Sequence, residues 1–239
     1  VAVVTGGSRG IGRAIALRLA EDHAAVAITF RQAGDEATDV VEQIEAAGGQ
    51  ALAIQADFAD PAVADDVVAQ VLARFGGVDS LVNNAGGATR RTIAELSVAE
   101  WSEGITVNLT SAYAMTRAVV PHMLERAGGS IVNVGSPAGL RGGYIGVHYS
   151  AAKAGMIGLT VQAARELTAS GIRVNVVEPS AVETDMVRGL MAGDDQLDIK
   201  PLRGQRGTPE EIAAVVGFLC SPQASYVSGA VIGISGGGF

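Results

Sequence analysis

Short runs of β-branched and small apolar residues recur along the chain: VAVVT (1–5), AVAITF (25–30), ALAIQA (51–56), VDSLVN (78–83), SIVNVG (130–135), IRVNVV (172–177) and GAVIGI (229–234). Each has the length of a strand and little polar alternation, which marks strands covered on both faces. Most are separated by longer stretches with helical periodicity. Val63, Val67, Val71 and Phe75 recur every four residues and define a core-facing stripe. Asp60-Pro61 predicts the start of that helix, with Asp as N-cap and Pro at the first helical position. Thr208-Pro209-Glu210-Glu211 has the form of a capping box that opens another helix. Strands joined by helical crossovers predict an α/β chain: a doubly wound sheet of seven mainly parallel strands with helices on both faces. No linker or repeat interrupts the pattern, so a single domain over 1–239 is expected. Residues 181–207 depart from it, being long, polar and glycine-bearing. In a compact domain such a segment is usually functional or mobile.

Composition agrees and excludes several functions. Hydrophobic residues make up 48% of the 239 and charged residues 18%, enough for a large core. Aromatics are only 4%, so that core must be built from Val, Ala, Ile and Leu. The net charge of -8 argues against nucleic acid or an anionic membrane as partner. The one cysteine, Cys220, lies in the apolar run VVGFLC and reads as a buried small hydrophobe. With no second cysteine there is no intrachain disulfide, which suits a reducing compartment. His23, His122 and His148 are scattered, so no metal site is expected. No apolar run approaches the ~18 residues of a membrane span, and no basic n-region marks a signal peptide. A cytoplasmic location follows. Val1 already falls in a predicted strand, so a few residues are expected upstream.

Chemistry enters at the end of the first strand. Thr5-Gly6-Gly7-Ser8-Arg9-Gly10-Ile11-Gly12 follows that strand and opens a helix from about Ile11. Glycines let backbone turn tightly and approach a ligand, and a helix N-terminus presents free N–H groups to phosphate. The spacing is G-x-x-x-G-x-G, and the strand–loop–helix setting makes it a dinucleotide site of Rossmann type. An NAD site carries an acid at the end of the second strand for the ribose 2′-hydroxyl. Here Phe30-Arg31-Gln32 stands instead. Arg9 and Arg31 are suited to clamp a 2′-phosphate, so NADP(H) is expected and NAD is disfavoured. Asp57 is placed to accept from the adenine amino group, with Phe58 alongside.

A second element lies in YSAAK, residues 149–153. A free phenol titrates near ~10 and a free lysine near ~10.4. Four residues apart on a helix, the two side chains share a face. An ammonium beside a phenol favours the phenolate and lowers its pKa, which would make Tyr149 a usable acid or base near neutrality.

Taken with NNAG (83–86), the asparagine of VNLTS (Asn108), the serine of VNVGS (Ser136) and EPSAVETDM (178–186), these motifs make the chain resemble the short-chain dehydrogenase/reductases over essentially its whole length. The resemblance implies that Tyr149 is the general acid towards a carbonyl oxygen. Lys153 would tune it and hold the nicotinamide ribose, and Ser136 would fix the substrate oxygen. Asn108 would keep a helix kinked and hold a water for proton relay. It further implies that Asn83, Asn84, Ala85 and Gly86 form the turn that supports the adenine ribose and the central sheet. Pro179, Ser180, Val182, Thr184 and Met186 would lie against the nicotinamide, Val182 through its backbone and Thr184 through its hydroxyl. Leu140, Tyr144, His148 and Ser180 would line the substrate pocket. Ser180 replaces the family's usual glycine and adds a hydroxyl there.

The activity so implied is NADP(H)-dependent interconversion of a small ketone or aldehyde and an alcohol. Reduction of 3-oxoacyl groups on acyl carrier protein or CoA is the alternative, because the chain is similar to that subgroup. Against it, Ala127 and Ser170 stand where the subgroup carries arginines for its acidic carrier. A catalytically silent NADP-binding regulator is the remaining reading. The resemblance also implies a homotetramer, formed through helices at about 98–127 and 148–170 and through the last strand.

Overall fold

A computed structural model describes residues 1–22, 25–191 and 204–237. The strands are β1 (Ala2–Val4), β2 (Ala25–Phe30), β3 (Gln50–Gln55), β4 (Ser80–Asn83), β5 (Gly129–Val134), β6 (Ile172–Pro179) and β7 (Val231–Ile234). The helices are α1 (Gly10–Asp22), α2 (Gly34–Ala46), α3 (Val63–Phe75), α4 (Val98–Ile105), α5 (Ser111–Glu125), α6 (Ala138–Arg141), α7 (Val147–Leu167), α8 (Asp185–Met191) and α9 (Pro209–Cys220). The sheet runs in the order β3-β2-β1-β4-β5-β6-β7, and every pairing is parallel.

Alternation along the strands divides the core in two. Ala2 and Val4 of β1 point to one face and Val3 to the other. The first face packs on α1, α2 and α9 through Ile15, Leu19, Val40, Ile44, Ile212 and Leu219. The second packs on α3, α5 and α7 through Val67, Val71, Met115, Met123 and Ala164. Both faces of β1, β4 and β5 are therefore dry, and the polar side chains they do carry find partners inside, Ser130 at the Leu219 carbonyl and Asn83 and Asn133 with each other. The chain order reverses between β1 and β4. In open parallel sheets a ligand crevice forms at such a switch point, beyond the carboxyl ends of the strands.

Two boundaries differ from the sequence pattern. Asp60 does not cap α3. Its Oδ1 accepts from the Ala62 N–H at 3.0 Å in a local turn, and the helix begins at Val63. A short aspartate satisfies its own backbone as readily as it caps a helix. Thr208 does form the capping box, accepting from Glu211 N–H while the Glu211 carboxylate accepts from Thr208 N–H at 2.8 Å. Part of the irregular stretch 181–207 lies outside the described residues, as does His23.

Candidate active site

Two clefts meet at the switch point. One, of about 510 Å³, runs along the glycine loop, the end of β2 and the residues after β3. It is lined by Gly6, Ser8, Arg9, Gly10, Ile11, Gly12, Arg31, Asp57, Phe58, Asn84, Ala85 and Gly86, all of them anticipated from sequence. Glu36 also lines it, an acid that the sequence pattern did not single out. The other, of about 470 Å³, lies beyond β5 and β6. Ile11, Asn84, Gly86, Gly87, Thr184 and Met186 border both, so the two form one continuous groove.

The glycine loop is built to bring backbone close to a ligand. Gly6 and Gly10 have φ of +64° and +56°, which glycine adopts without strain. A Cβ on Gly12 would sit 2.1 Å from the Gly6 carbonyl oxygen, so only glycine lets α1 start this close to the loop. Asn84 braces the loop from β4, its Nδ2 donating to the carbonyls of Thr5 at 2.9 Å and Gly6 at 3.0 Å. Thr5 Oγ1 in turn accepts from Asn84 N–H and Ala85 N–H. Thr29 at the end of β2 accepts from Gly6 N–H at 3.1 Å. A loop so braced holds the first turn of α1 open towards the cleft. This backbone cradle, with two exposed arginines beside it, fits a dinucleotide. Asn83 supports the central sheet, as expected, and does not line the cleft. It is 3% exposed and donates to Asn133 Oδ1 at 2.8 Å and Thr116 Oγ1 at 3.2 Å, tying the sheet to α5. Strand alternation sends its side chain to the face opposite the cleft-bracing Asn84.

The second cleft gathers Asn108, Ser136, Tyr149 and Lys153. Ser136 stands just past β5, and its Oγ accepts from Ala138 N–H at 3.2 Å. Tyr149 and Lys153 share one face of α7. Lys153 is 4% exposed, donates to the Val134 carbonyl at 2.8 Å and lies 5.5 Å from the centroid of the Tyr149 ring. Asn108 sits in a π-helical turn, Thr106–Thr110, between α4 and α5. Its Nδ2 donates to the carbonyls of Gly87 and Gly104, each at 3.0 Å, and its Oδ1 accepts from Gly87 N–H at 3.2 Å. The expected helix distortion is thus present, and it places the asparagine against the loop after β4. Gly86 has to be glycine, since a Cβ there would stand 2.8 Å from Asn108 Oδ1.

The electrostatics correct one expectation. Burial pushes the Tyr149 phenol up, opposed only by its hydrogen bond with Ser136, rather than Lys153 drawing it down. Burial lowers Lys153 itself to about 8. Both groups have lost water, and desolvation disfavours the charged form of each. The pair therefore rests as a neutral phenol beside an amine that titrates close to neutrality.

Pro179 ends β6, Ser180, Val182, Thr184 and Met186 follow it, and all five line this cleft. Val182 bridges to Gly207, and Glu183 takes ion pairs from Arg188 and Arg206, each at 2.9 Å. The Thr184 hydroxyl accepts from Val187 N–H at 3.3 Å and so starts α8 across the mouth of the groove. Tyr144 and Ser180 line the cleft as anticipated. Leu140 and His148 do not. Leu140 is 64% exposed, while its α6 neighbours Ala138 and Arg141 face the cleft. His148 is 4% exposed and packs on Gly104 and Gly146. It adjoins Tyr149 in sequence, but adjacent helical positions point ~100° apart. Gly104 leaves the ring its room, for a Cβ there would meet His148 Cδ2 at 2.5 Å. Sequence reading did not single out Arg90, Arg141, Ile145 and Val187, which reach the cleft from the loop after β4, the end of α6, the loop before α7 and α8. Only the paired arginines after NNAG gave a signal.

Comparison with known proteins decides the family. The family described as short chain dehydrogenase matches residues 1–195. The chain is a short-chain dehydrogenase/reductase. As such it is an NAD(P)-dependent oxidoreductase, similar over nearly its full length to 3-oxoacyl-acyl-carrier-protein reductases. It is 41% identical to the 3-oxoacyl-[acyl-carrier-protein] reductase FabG of Staphylococcus epidermidis, over 99% of this chain and 97% of that one. A short chain dehydrogenase from Burkholderia cenocepacia, solved in complex with NADP, superposes with a TM-score of 0.89 at 38% identity, covering 99% of this chain and 96% of that one. A putative NAD(P) dependent gluconate 5-dehydrogenase from Beutenbergia cavernae, with NADP bound, gives 0.90 at 38% identity, covering 99% and 95%.

Proposed function

We propose that this short-chain dehydrogenase/reductase interconverts a ketone or aldehyde and an alcohol with NADP(H), Tyr149 serving as the proton donor in reduction. The observation that carries the reading is the convergence of Ser136, Tyr149, Lys153 and Asn108 on one cleft continuous with the glycine-loop groove. NADPH, when bound, supplies the hydride. Gly6, Ser8, Gly10 and Gly12 would cradle its pyrophosphate, Arg9 and Arg31 its 2′-phosphate, and Val182 and Thr184 its carboxamide end. The two neighbours solved with NADP support that choice of phosphate form.

As negative charge grows on the carbonyl oxygen, hydrogen-bond donors aimed at that oxygen stabilise the transition state. Ser136 and Tyr149 are suited to be those donors. A phenol whose pKa is held high stays protonated in the resting site, ready to donate. Lys153, at about 8, would keep the proton supply and favour the phenolate once it forms. Asn108 is suited to hold a water between Lys153 and solvent.

Reduction of 3-oxoacyl thioesters is the second reading, favoured by the 41% identity to a reductase of that name. Ala127 and Ser170 lack the charge that an acidic carrier would seek. Initial rates of NADPH and NADH oxidation, with an acetoacetyl thioester beside simple ketones and with Tyr149→Phe as control, test both. NADPH-dependent turnover lost in the variant is expected. Fast thioester turnover alone would select the second reading, and NADPH binding without turnover of any carbonyl would leave a silent regulator.

A further inference from the structure

α7 turns two faces inward. Tyr149 and Lys153 lie on the one that borders the cleft. His148 and Gly155 are seven positions apart, nearly two full turns, and so share the next face. That second face grips the segment that carries Asn108. Gly155 receives Leu109, since a Cβ on the glycine would stand 2.5 Å from Leu109 Cδ2. His148 takes the other end of the segment, its Cδ2 2.5 Å from where a Cβ on Gly104 would lie. Between the two contacts stands Asn108, whose Nδ2 donates to the Gly104 carbonyl at 3.0 Å.

The opposite edge of the imidazole faces the loop before α7. Nδ1 and Cε1 each lie 3.1 Å from where a Cβ on Gly146 would stand, and the Arg91 carbonyl oxygen is 2.6 Å from the same point. Gly146 has a φ of +143°, which glycine adopts and other residues rarely do. It directly follows Tyr144 and Ile145, which line the cleft, and the Ile145 carbonyl accepts from Arg91 N–H at 2.9 Å. The ring is thus held edge to edge between the glycine that anchors Asn108 and the glycine that ends the cleft loop. It is 4% exposed, and its Nδ1 has no hydrogen-bond partner among the described residues. A buried polar atom left unpaired costs stability, so an imidazole is a poor choice for filling space alone.

We infer that His148 is a positioning residue for the reaction: its ring spaces the Asn108 turn and the cleft loop against α7, and so sets where Asn108 and Tyr149 stand relative to each other. The inference rests on the roles proposed for Tyr149 and Asn108. It adds to them a side chain that lines neither cleft.

The test compares carbonyl reduction by the natural chain, His148→Ala, His148→Asn, Gly104→Ala and the pair Gly104→Ala with His148→Ala. Amide hydrogen exchange gives a readout that needs no turnover. In His148→Ala, kcat should fall roughly ten- to a hundredfold, the size expected when reacting groups are misplaced by about 1 Å. KM for NADPH should hold, because His148 does not line the cofactor groove. Exchange should quicken at 104–110 and 144–149 and stay level in β1, β2 and α1. Asparagine keeps planar δ atoms where Nδ1 and Cδ2 stand, so His148→Asn should regain most of the rate. Gly104→Ala should slow the natural chain but cost little beside His148→Ala, where its methyl enters the space the ring has left. An unchanged kcat in His148→Ala, or an equal cost of Gly104→Ala with and without the ring, would overturn the inference. So would a lowered Tm with exchange quickened throughout, the mark of a role in folding alone. If His148→Ala does not fold, Gly104→Ala presses on the ring from the other side, and it must then lower kcat with KM held. If the natural chain reduces no carbonyl, the reductase reading fails and exchange decides by itself: quickening confined to the two segments keeps the positioning role, and none removes it.

Discussion

At the scale of single residues, the account turns on Lys153 and Tyr149. The amine titrates at about 8, lowered by burial, so its charged form is lost as pH rises through that value. If reduction uses the ammonium, kcat/KM for a carbonyl substrate should be level below neutrality and fall about tenfold per pH unit well above 8. A profile that stays level to pH 10 would exclude that role. The same shift has a stability sign. Between about 8 and its unfolded value near 10.5 the unfolded chain binds the extra proton, so stability rises with pH across this window. At neutral pH the buried ammonium is a cost, set against its bond to Val134. Lys153→Met should therefore abolish activity while stabilising the fold by about 1–2 kcal/mol, a rise in Tm of several degrees by thermal unfolding. Legibility at this scale was uneven. The residue types at 108, 136, 149 and 153 could be read from the chain, because their chemistry is rare and their order fixed. The side-chain directions of His148 and Leu140 could not, because a one-residue step on a helix turns ~100° and only the packing around Gly104 reveals it.

At the scale of elements, apolar strands buried on both faces were the most legible feature, since little else in a soluble chain produces such runs. The Thr208 capping box was equally plain, and it begins the helix that packs on α1 over one face of the sheet. Thr208→Ala should remove the side-chain half of the box, leave the Glu211 N–H without its acceptor and cost about 1 kcal/mol, measured by denaturant unfolding. An unchanged midpoint would show that Pro209 and the glutamates suffice. Asp60 shows the limit of the method, because the same residue type serves a turn and a cap, and only the course of the backbone chooses. The distortion at Thr106–Thr110 was expected only through the family resemblance at Asn108, and no local propensity marks it as a π-turn. There Asn108 bonds at once to Gly104, four residues back, and to Gly87 in the loop after β4, and the second contact is made only by folding.

At the scale of the whole molecule, the groove at the switch point follows from strand order, and strand order from the alternation of strands with crossovers. The cationic lining of the substrate half was invisible in the sequence, because Arg90 and Arg141 are brought together only by folding. Large apolar side chains remain exposed on the long helices, among them Val98, Tyr113, Leu124 and Val161, with Val231 on the last strand. We propose that these faces pair copies of the chain into a homotetramer. Light scattering should then give a mass about four times the 24.2 kDa of one chain, and a single-chain mass would contradict it. The central claim is direct hydride transfer from NADPH to a carbonyl carbon beside Tyr149. Its most direct test is reduction of the ketone and thioester panel with NADPH deuterated at the nicotinamide C4, followed by mass analysis of the alcohol. The account predicts one deuterium on the carbinol carbon and no product with Tyr149→Phe. Alcohol free of deuterium with either face of the nicotinamide labelled, or undiminished product from the variant, would contradict it.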